Sequence, residues 1–374
     1  MKEKIIAFVK KETVFLVAVI LAVVSAFVVP PDKGYRNYID FRVLGILLML
    51  MIVMEGLSKN GFFDAVGEKL LSKTRRLWQL VFVLVFLCFF FAMLITNDVA
   101  LITFVPFAIM MLKKTKKEEL IAPVVVLQTL AANLGSMLTP IGNPQNLYLY
   151  NLAGYDIGTF VLIMLPYTIF AAVLLLCSIL LLKGKRTPIM YEPEPKKPLK
   201  RQTRRKNLIY LMLFVFSVLV VARIFPWQVV LLATFLTAFV LDADILKRVD
   251  YVLLLTFIAF FIFTGNIARI PEVSRWLQEL VVGHEVSVAV MSSQVISNVP
   301  ATLLLSGFTD KWPALLIGVN IGGLGTLIAS LASLISYKLY VKTADSKTSR
   351  YLLTFTLYSI VFLAILVPLY FLLN

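Results

Sequence analysis

Ile95-Thr96-Asn97-Asp98-Val99-Ala100 decides how this chain is read. An apolar run from Leu77 to Leu94 leads into it, and a second apolar arm, Leu101 to Leu112, leaves it. Between the arms only Thr96, Asn97 and Asp98 are polar, and no loop intervenes. A carboxylate at bilayer depth is costly and by default marks a pathway or a site. A similar stretch recurs late in the chain at Ile296-Ser297-Asn298-Val299-Pro300-Ala301-Thr302. Two such copies point to a duplicated membrane protein with a polar site where the copies meet.

Composition agrees. The chain has 374 residues, is 60% hydrophobic and has a mean hydropathy of +0.90, values of a polytopic membrane protein. A net charge of +15 would suggest nucleic acid in a soluble protein. Here the basic residues lie in loops between apolar segments, so they read as cytoplasmic loop charge and no nucleic-acid partner is expected. Cys88 and Cys177 lie in apolar runs and read as buried thiols. His284, the single histidine, lies in a loop. No metalloenzyme, thiol enzyme or cofactor is expected, and no clustered catalytic set suggests a membrane-embedded enzyme. The absence of a Gly-x-x-x-x-Gly-Lys stretch argues against a self-powered pump.

The expected fold is all-α and polytopic, with about ten transmembrane helices and two re-entrant hairpins. Lys2, Lys4, Lys10 and Lys11 precede Val14–Val29, and Pro30-Pro31 follow without a small-x-small cleavage site, so this run reads as a retained first helix. The segment 120–150 is too long for one crossing and is interrupted by Thr139-Pro140-Ile141-Gly142-Asn143-Pro144-Gln145-Asn146. Two prolines and a glycine cannot sustain a helix there. Broken backbone at membrane depth survives only where it is buried in protein or lines a cavity. With the N-terminus inside, the inner segments 1–13, 59–77, 113–119, 183–206, 242–249 and 338–350 hold 29 of the 36 lysines and arginines. The positive-inside rule then places the N-terminus in the cytoplasm and the C-terminus outside a plasma or inner membrane. Residues 183–206, rich in basic residues and proline, read as a solvated linker that can meet anionic membrane lipid.

Three stretches of each half superpose in order. Ile39-Asp40-Phe41 matches Val249-Asp250-Tyr251, Thr96-Asn97 matches Ser297-Asn298, and the stretch 133–139 matches 320–326. The charge pattern runs helix 41–58 inward and helix 250–266 outward, so the copies read as inverted repeats, an architecture of secondary transporters with midplane sites. The expected divisions are a first helix and outer loop (1–38), repeat 1 (39–182), the linker (183–206), connecting helices (207–248) and repeat 2 (249–374). The arms around Ser297-Asn298 are too short to cross, so that hairpin is re-entrant; the arms around Asn97 are long enough to leave both arrangements open.

The residues expected to bind substrate or ion are Thr96, Asn97 and Asp98 at the first tip, and Thr139, Gly142 and Asn143 at the first break. Their counterparts are Ser297, Asn298 and Thr302 near the second tip, and Gly325, Thr326 and Ser330 at the second break. Side-chain oxygens and helix C-terminal carbonyls suit Na⁺, and helix N-termini suit anions. Na⁺ is expected at Asn97, Asp98 and Gly142, and at Asn298 and Ser330. Asp98 is equally readable as a coupling-ion or proton carrier and as a helix cap. Neither tip nor break contains Lys or Arg, so a bound anion would rest on dipoles, hydroxyls, amides and co-bound cations.

The stretches TNDVALITFVP (96–106), GSMLTPIGNPQN (135–146) and SNVPATLL (297–304) resemble the ion transporter superfamily, above all its citrate-transporter-like and arsenite-permease-like members. The resemblance spans nearly the whole chain. It implies secondary active transport coupled to Na⁺ or H⁺, by symport or antiport, with an elevator-like motion and a homodimer. In the related dicarboxylate/sodium symporters each tip carries Ser-Asn-Thr. Here the matching positions are Thr96-Asn97-Asp98 and Ser297-Asn298-Val299, so the asparagine is kept and the third position departs in both. The implied solute is a small anion or oxyacid: a carboxylate such as citrate or a dicarboxylate, or an inorganic oxyanion. Arsenite or antimonite efflux and Na⁺/H⁺ antiport are the alternatives.

Overall fold

A computed structural model describes residues 12–71, 74–182, 187–188, 201–343 and 346–374. The N-terminal lysines and most of the basic linker 183–206 therefore lie outside the described residues. Among the described residues the chain is helical, with a single isolated bridge between Arg76 and Pro188. Among the described residues six helical stretches are long and apolar enough to cross a membrane: Phe41–Lys59, Leu77–Ile95, Glu118–Ser136, Ile157–Leu180, Tyr251–Ala268 and Thr348–Leu373.

Leaving aside the short turns Tyr35–Tyr38, Glu118–Leu120 and Asp244–Arg248, the elements in chain order are α1 (Thr13–Val28), α2 (Phe41–Lys59), α3 (Phe62–Leu71), α4 (Leu77–Ile95), α5 (Asn97–Lys114), α6 (Ile121–Ser136), α7 (Pro144–Leu152), α8 (Ile157–Leu180) and α9 (Arg201–Val221). Then follow α10 (Trp227–Asp242), α11 (Tyr251–Ala268), α12 (Pro271–Val281), α13 (Glu285–Ile296), α14 (Asn298–Leu305), α15 (Trp312–Ile321), α16 (Leu331–Val341) and α17 (Thr348–Leu373). The two helices that open the matched halves begin alike. Asp40 caps α2 by accepting from Val43 N at 2.9 Å, and Asp250 caps α11 by accepting from Leu253 N at 3.0 Å. Each satisfies one of the amides that a helix start leaves without a partner.

Polar contacts sort the helix ends into two groups. At one end Lys59 Nζ meets Asp242 at 2.7 Å, Lys206 Nζ donates to Leu241 O at 2.9 Å, and Leu77, Lys117, Leu181 and Arg350 line one cavity of about 480 Å³. At the opposite end Asn151 Nδ2 donates to Asp40 Oδ2 at 2.6 Å, Arg223 Nη1 to Gly154 O at 3.3 Å, and Arg269 pairs with Asp32 at 2.8 Å. The segments that share the first end are those in which the basic residues concentrate.

Both feet of the α4–α5 hairpin, Leu77 and Lys117, lie at the Lys59 end. The feet of the α13–α14 hairpin are joined to each other by a Thr309 Oγ1 bond to Glu285 Oε1 of 3.0 Å. The outgoing foot, at Ser306, meets Tyr148 in the middle of α7, a helix that runs on to the Asp40 side. The arms of the second hairpin have 12 and 8 residues. At ~1.5 Å per residue neither spans a hydrocarbon core of ~30 Å. Arms of 19 and 18 residues make the first hairpin much deeper.

Helix α6 is the centre of the bundle and is buried along nearly its whole length. It reaches that depth because Gly135 has no side chain: a Cβ there would lie 2.1 Å from Phe89 O of α4. The hairpin and α6 thus touch backbone to backbone, the close approach that small residues permit between membrane helices.

Candidate functional site

Each hairpin tip is a single residue held in a backbone conformation that side chains resist. Thr96 sits at φ 76°, ψ 147° and Ser297 at φ 72°, ψ 153°. This region is essentially reserved for glycine, and holding another residue in it costs about 1–3 kcal/mol. Such strain persists only where the surroundings over-determine it, and both tips are clamped in the same way. Asn97 N donates to Gly142 O at 3.1 Å, and Asn298 N donates to Ala329 O at 2.9 Å. Thr139 Oγ1 donates to Met93 O across the first hairpin, and Thr326 Oγ1 donates to Gln294 O at 3.0 Å across the second. The tips thus lie against the breaks, and the residue after each clamping carbonyl starts the next helix. Asn143 caps α7 by accepting from Asn146 N at 3.1 Å, and Ser330 caps α16 by accepting from Ala332 N at 3.2 Å.

Between the clamps lies a buried cluster of carboxamides and hydroxyls drawn from both halves. Asn133 Oδ1 accepts from Asn97 Nδ2 at 3.1 Å and from Ser330 Oγ at 2.9 Å, and Asn133 Nδ2 donates to Ser333 Oγ at 3.5 Å. Asn320 answers from the other half: its Oδ1 accepts from Asn143 Nδ2 at 3.2 Å and its Nδ2 donates to Asn146 Oδ1 at 2.7 Å. With the matching of 133–139 to 320–326 extended along the chain, Asn143 corresponds to Ser330 and Asn146 to Ser333. The contacts are then reciprocal: what Asn133 does to Ser330 and Ser333, Asn320 does to Asn143 and Asn146. A two-fold relation between equivalent units requires such reciprocity.

Of the residues singled out in the sequence, the structure gathers Asn97, Asn143 and Ser330 into this cluster. Asn298, Ser297 and Gly142 frame it. Asn298 and Ser297 are buried, and a Cβ on Gly142 would lie 2.0 Å from Ser136 O. Thr302 turns its hydroxyl back to Asn298 O at 2.6 Å, and Thr326 is exposed on the second break beside Gly325, whose φ is +110°.

The carbonyls freed by the breaks are already engaged. Asn146 Nδ2 lies 3.2, 3.3 and 3.1 Å from the carbonyls of Ser136, Met137 and Thr139. Gln294 Nε2 lies 2.9 Å from both Gly322 O and Leu324 O, while Gln294 Oε1 accepts from Thr326 N at 2.9 Å. Asp98 is different. Its Oδ1 is buried and has no hydrogen-bond partner, although the residue stands in the first turn of α5, beside Asn97. The sequence reading passed over Asn133, Asn320 and Gln294 as site residues. The first two were visible as matched positions in the repeat; Gln294 carried no signal.

Strained hairpin tips, broken helices and a shared polar cluster deep in an apolar bundle are the anatomy of a multi-pass membrane transporter. The chain belongs to the citrate transporter family, which matches residues 3–309. It is 33% identical over 336 residues to an uncharacterized transporter of Methanocaldococcus jannaschii, covering 88% of this chain and 89% of that one. It is 30% identical over 344 residues to the inner membrane protein YbiR of Escherichia coli, covering 87% of each. Over 140 residues it is 30% identical to a silicon efflux transporter of Oryza sativa, covering 37% of this chain and 28% of that protein.

Proposed function

We propose that this protein is a secondary active transporter whose asparagine cluster binds a small oxyacid or anion and whose Asp98 takes up the coupling H⁺ or Na⁺. The observation that carries the reading is the reciprocal bonding of Asn133 and Asn320 across the two halves. It supports an inverted repeat made of residues 39–182 and 249–374, with residues 183–206 as linker and 207–248 as connecting helices. The hairpins opening toward opposite ends support the same reading, with both hairpins re-entrant. The N-terminus is then cytoplasmic and the C-terminus outside, and the protein works as a homodimer in which the cluster and both tips move together past the remaining helices.

The chemistry of the cluster favours a hydroxylated or weakly acidic solute over a polyanion. Its members are carboxamides and hydroxyls, which both donate and accept, and Asp98 follows the cluster residue Asn97 in the chain. A dianion beside Asp98 would be repelled unless a cation or proton neutralised the pair. The relative from Oryza sativa, named for silicon efflux, fits such a solute. A second reading, Na⁺/H⁺ antiport, is favoured by the unpartnered Oδ1 of Asp98 alone.

The test is counterflow in proteoliposomes with citrate, succinate, sulfate, phosphate, arsenite and silicic acid, each with an imposed Na⁺ or H⁺ gradient. Saturable exchange of one of these solutes that Asp98→Asn uncouples from the gradient supports the proposal. Gradient-coupled exchange unchanged in Asp98→Asn excludes the coupling role. Na⁺/H⁺ exchange with no solute carried establishes the antiporter instead.

A further inference from the structure

The two ends of the bundle are not equally engaged. At the Asp40 end a helix that carries the cluster is tied to helices that do not. Asn151, in the last turn of α7, donates through Nδ2 to one oxygen of Asp40 at 2.6 Å, while the other oxygen keeps its cap bond to Val43 N of α2. Tyr150 OH donates to Val221 O of α9 at 2.9 Å. Arg223 donates to Gly154 O at 3.3 Å and holds its guanidinium 5.5 Å from the centre of the Tyr150 ring. At the Lys59 end, the bonds of Lys59 to Asp242 and of Lys206 to Leu241 O join α2, α9 and α10 to one another instead.

The repeat names the residues that could engage at the Lys59 end. The matching that pairs Asn143 with Ser330 and Asn146 with Ser333 pairs Asn151 with Lys338, and Asp40 is matched by Asp250. Asp250 caps α11 with one oxygen, as Asp40 caps α2. Its second oxygen, the counterpart of the one that Asn151 holds, has no bond among the described residues. Lys338 stands in the last turn of α16, as Asn151 does in α7. Asp250 and Lys338 are both exposed, whereas Asp40 and Asn151 are half-buried. Among the described residues no hydrogen bond or ion pair engages the Lys338 ammonium. A lysine at a cytoplasmic helix end is ordinary. Its register is not, because the repeat puts it where the partner of Asp250 belongs, and the two carry opposite charge.

When two inverted copies exchange their conformations, the end that was engaged is released and the end that was free engages. We infer that Lys338 and Asp250 form an ion pair in the opposite state of the carrier and that the Asn151–Asp40 bond breaks there. The two pairs are alternative latches between α7 or α16, which move with the cluster, and α2 or α11, which do not. The longer lysine side chain lets the second latch close across a wider gap than the first. This inference rests on the reading of the cluster-bearing helices as the moving part.

Spin labels test it without any solute and without touching either pair. Cys88 is buried, so a Cys177→Ala parent offers no exposed thiol among the described residues. Tyr251→Cys, next to Asp250, and Lys342→Cys, one turn past Lys338, are exposed positions for two nitroxides. Double electron–electron resonance in vesicles is expected to give two distance populations, the longer one belonging to this structure. Lys338→Gln is expected to lower the ratio of the shorter to the longer about two- to fivefold, as the loss of an exposed ion pair would. Asp250→Asn should do the same while keeping the helix cap, since Asn caps as well as Asp. Asn151→Ala is expected to raise the ratio by a similar factor.

A ratio that neither Lys338→Gln nor Asp250→Asn lowers overturns the second latch. A single population in the parent and in Asn151→Ala overturns both latches. Arg248→Cys in place of Tyr251→Cys is a second placement should the first pair fail to fold. If one of the six solutes named above is exchanged while the ratio stays unmoved, the latch falls and the transport reading stands. If the ratio responds as expected and none of them is exchanged, the latch stands and the solute reading falls.

Discussion

Replacing Asn133 by leucine removes the hub of the cluster with little change in side-chain volume, so no large cavity confuses the result. Asn133 is 4% exposed and Asn97 5%. The substitution leaves Asn97 Nδ2 without its acceptor and deprives Ser330 Oγ of its 2.9 Å bond. An orphaned buried donor costs about 1–3 kcal/mol. A lost interhelical bond in a membrane protein averages only about 0.6 kcal/mol. The orphan dominates, and together the two give about 2–4 kcal/mol. Ser330→Ala removes the second bond and the cap that Ser330 gives α16 through Ala332 N, while Asn133 Oδ1 keeps Asn97 as donor, so its cost is about 1–2 kcal/mol. Thermal unfolding of the purified protein in detergent, followed by intrinsic tryptophan fluorescence, is expected to rank wild type above Ser330→Ala and both above Asn133→Leu. Asn133→Leu is also expected to abolish solute exchange. Because the residues form one network, the double variant should fall short of the sum. A midpoint for Asn133→Leu equal to that of wild type, or above that of the double variant by the full Ser330→Ala increment, refutes the reasoning.

Gly142→Ala would put a methyl 2.0 Å from backbone at Ser136, so the first break must shift; folded yield is expected to drop sharply, whereas Gly67→Ala, whose Cβ meets only ring atoms at 3.4 Å or more, should express normally. Gln294→Leu leaves the carbonyls of Gly322 and Leu324 without their donor, Thr326 N being exposed to water, and is expected to lower the unfolding free energy by about 1–3 kcal/mol, measured by the same melt. Arg269, through its hydrogen bond above all, holds the Asp32 carboxyl below the usual carboxylate range. A lowered folded-state pKa gives stability that is present above an unfolded value of about 3.9 and is lost as pH falls through the folded value. Asp32→Asn should therefore melt below wild type at neutral pH, and the two midpoints should converge in acid.

Much of this architecture is legible in the sequence because membrane solvent makes polarity expensive. Thr96-Asn97-Asp98, Ser297-Asn298 and the Gly142-Asn143-Pro144 break stand out against apolar runs that leave nothing else to notice. The matched stretches around Asp40 and Asp250 are equally readable, since a cap declares itself locally. What the sequence conceals is reach. Asn133 and Asn320 look like helix-packing positions until the halves are folded together, when each becomes the partner of residues almost two hundred positions away. Gln294 gives no sign at all: a glutamine beside the serines of this arm is ordinary, and only the folded chain shows its carboxamide between two carbonyls of the second break. The break carbonyls, open to an ion on sequence grounds, are engaged by Asn146 and Gln294, while Asp98, beside Asn97, keeps a buried Oδ1 that no neighbouring side chain or backbone group bonds.

The most direct test of the account is ligand-dependent thermal stability of wild type and Asn143→Leu side by side. Citrate, succinate, sulfate, phosphate, arsenite and silicic acid are each added with Na⁺, with Li⁺ and with neither. A solute present at about a hundred times its Kd stabilises the folded state by about 2.7 kcal/mol. The account predicts that one of these solutes raises the midpoint of wild type and leaves Asn143→Leu unmoved. A shift of the same size in both proteins, or a shift with Na⁺ or Li⁺ alone that no solute alters, contradicts it.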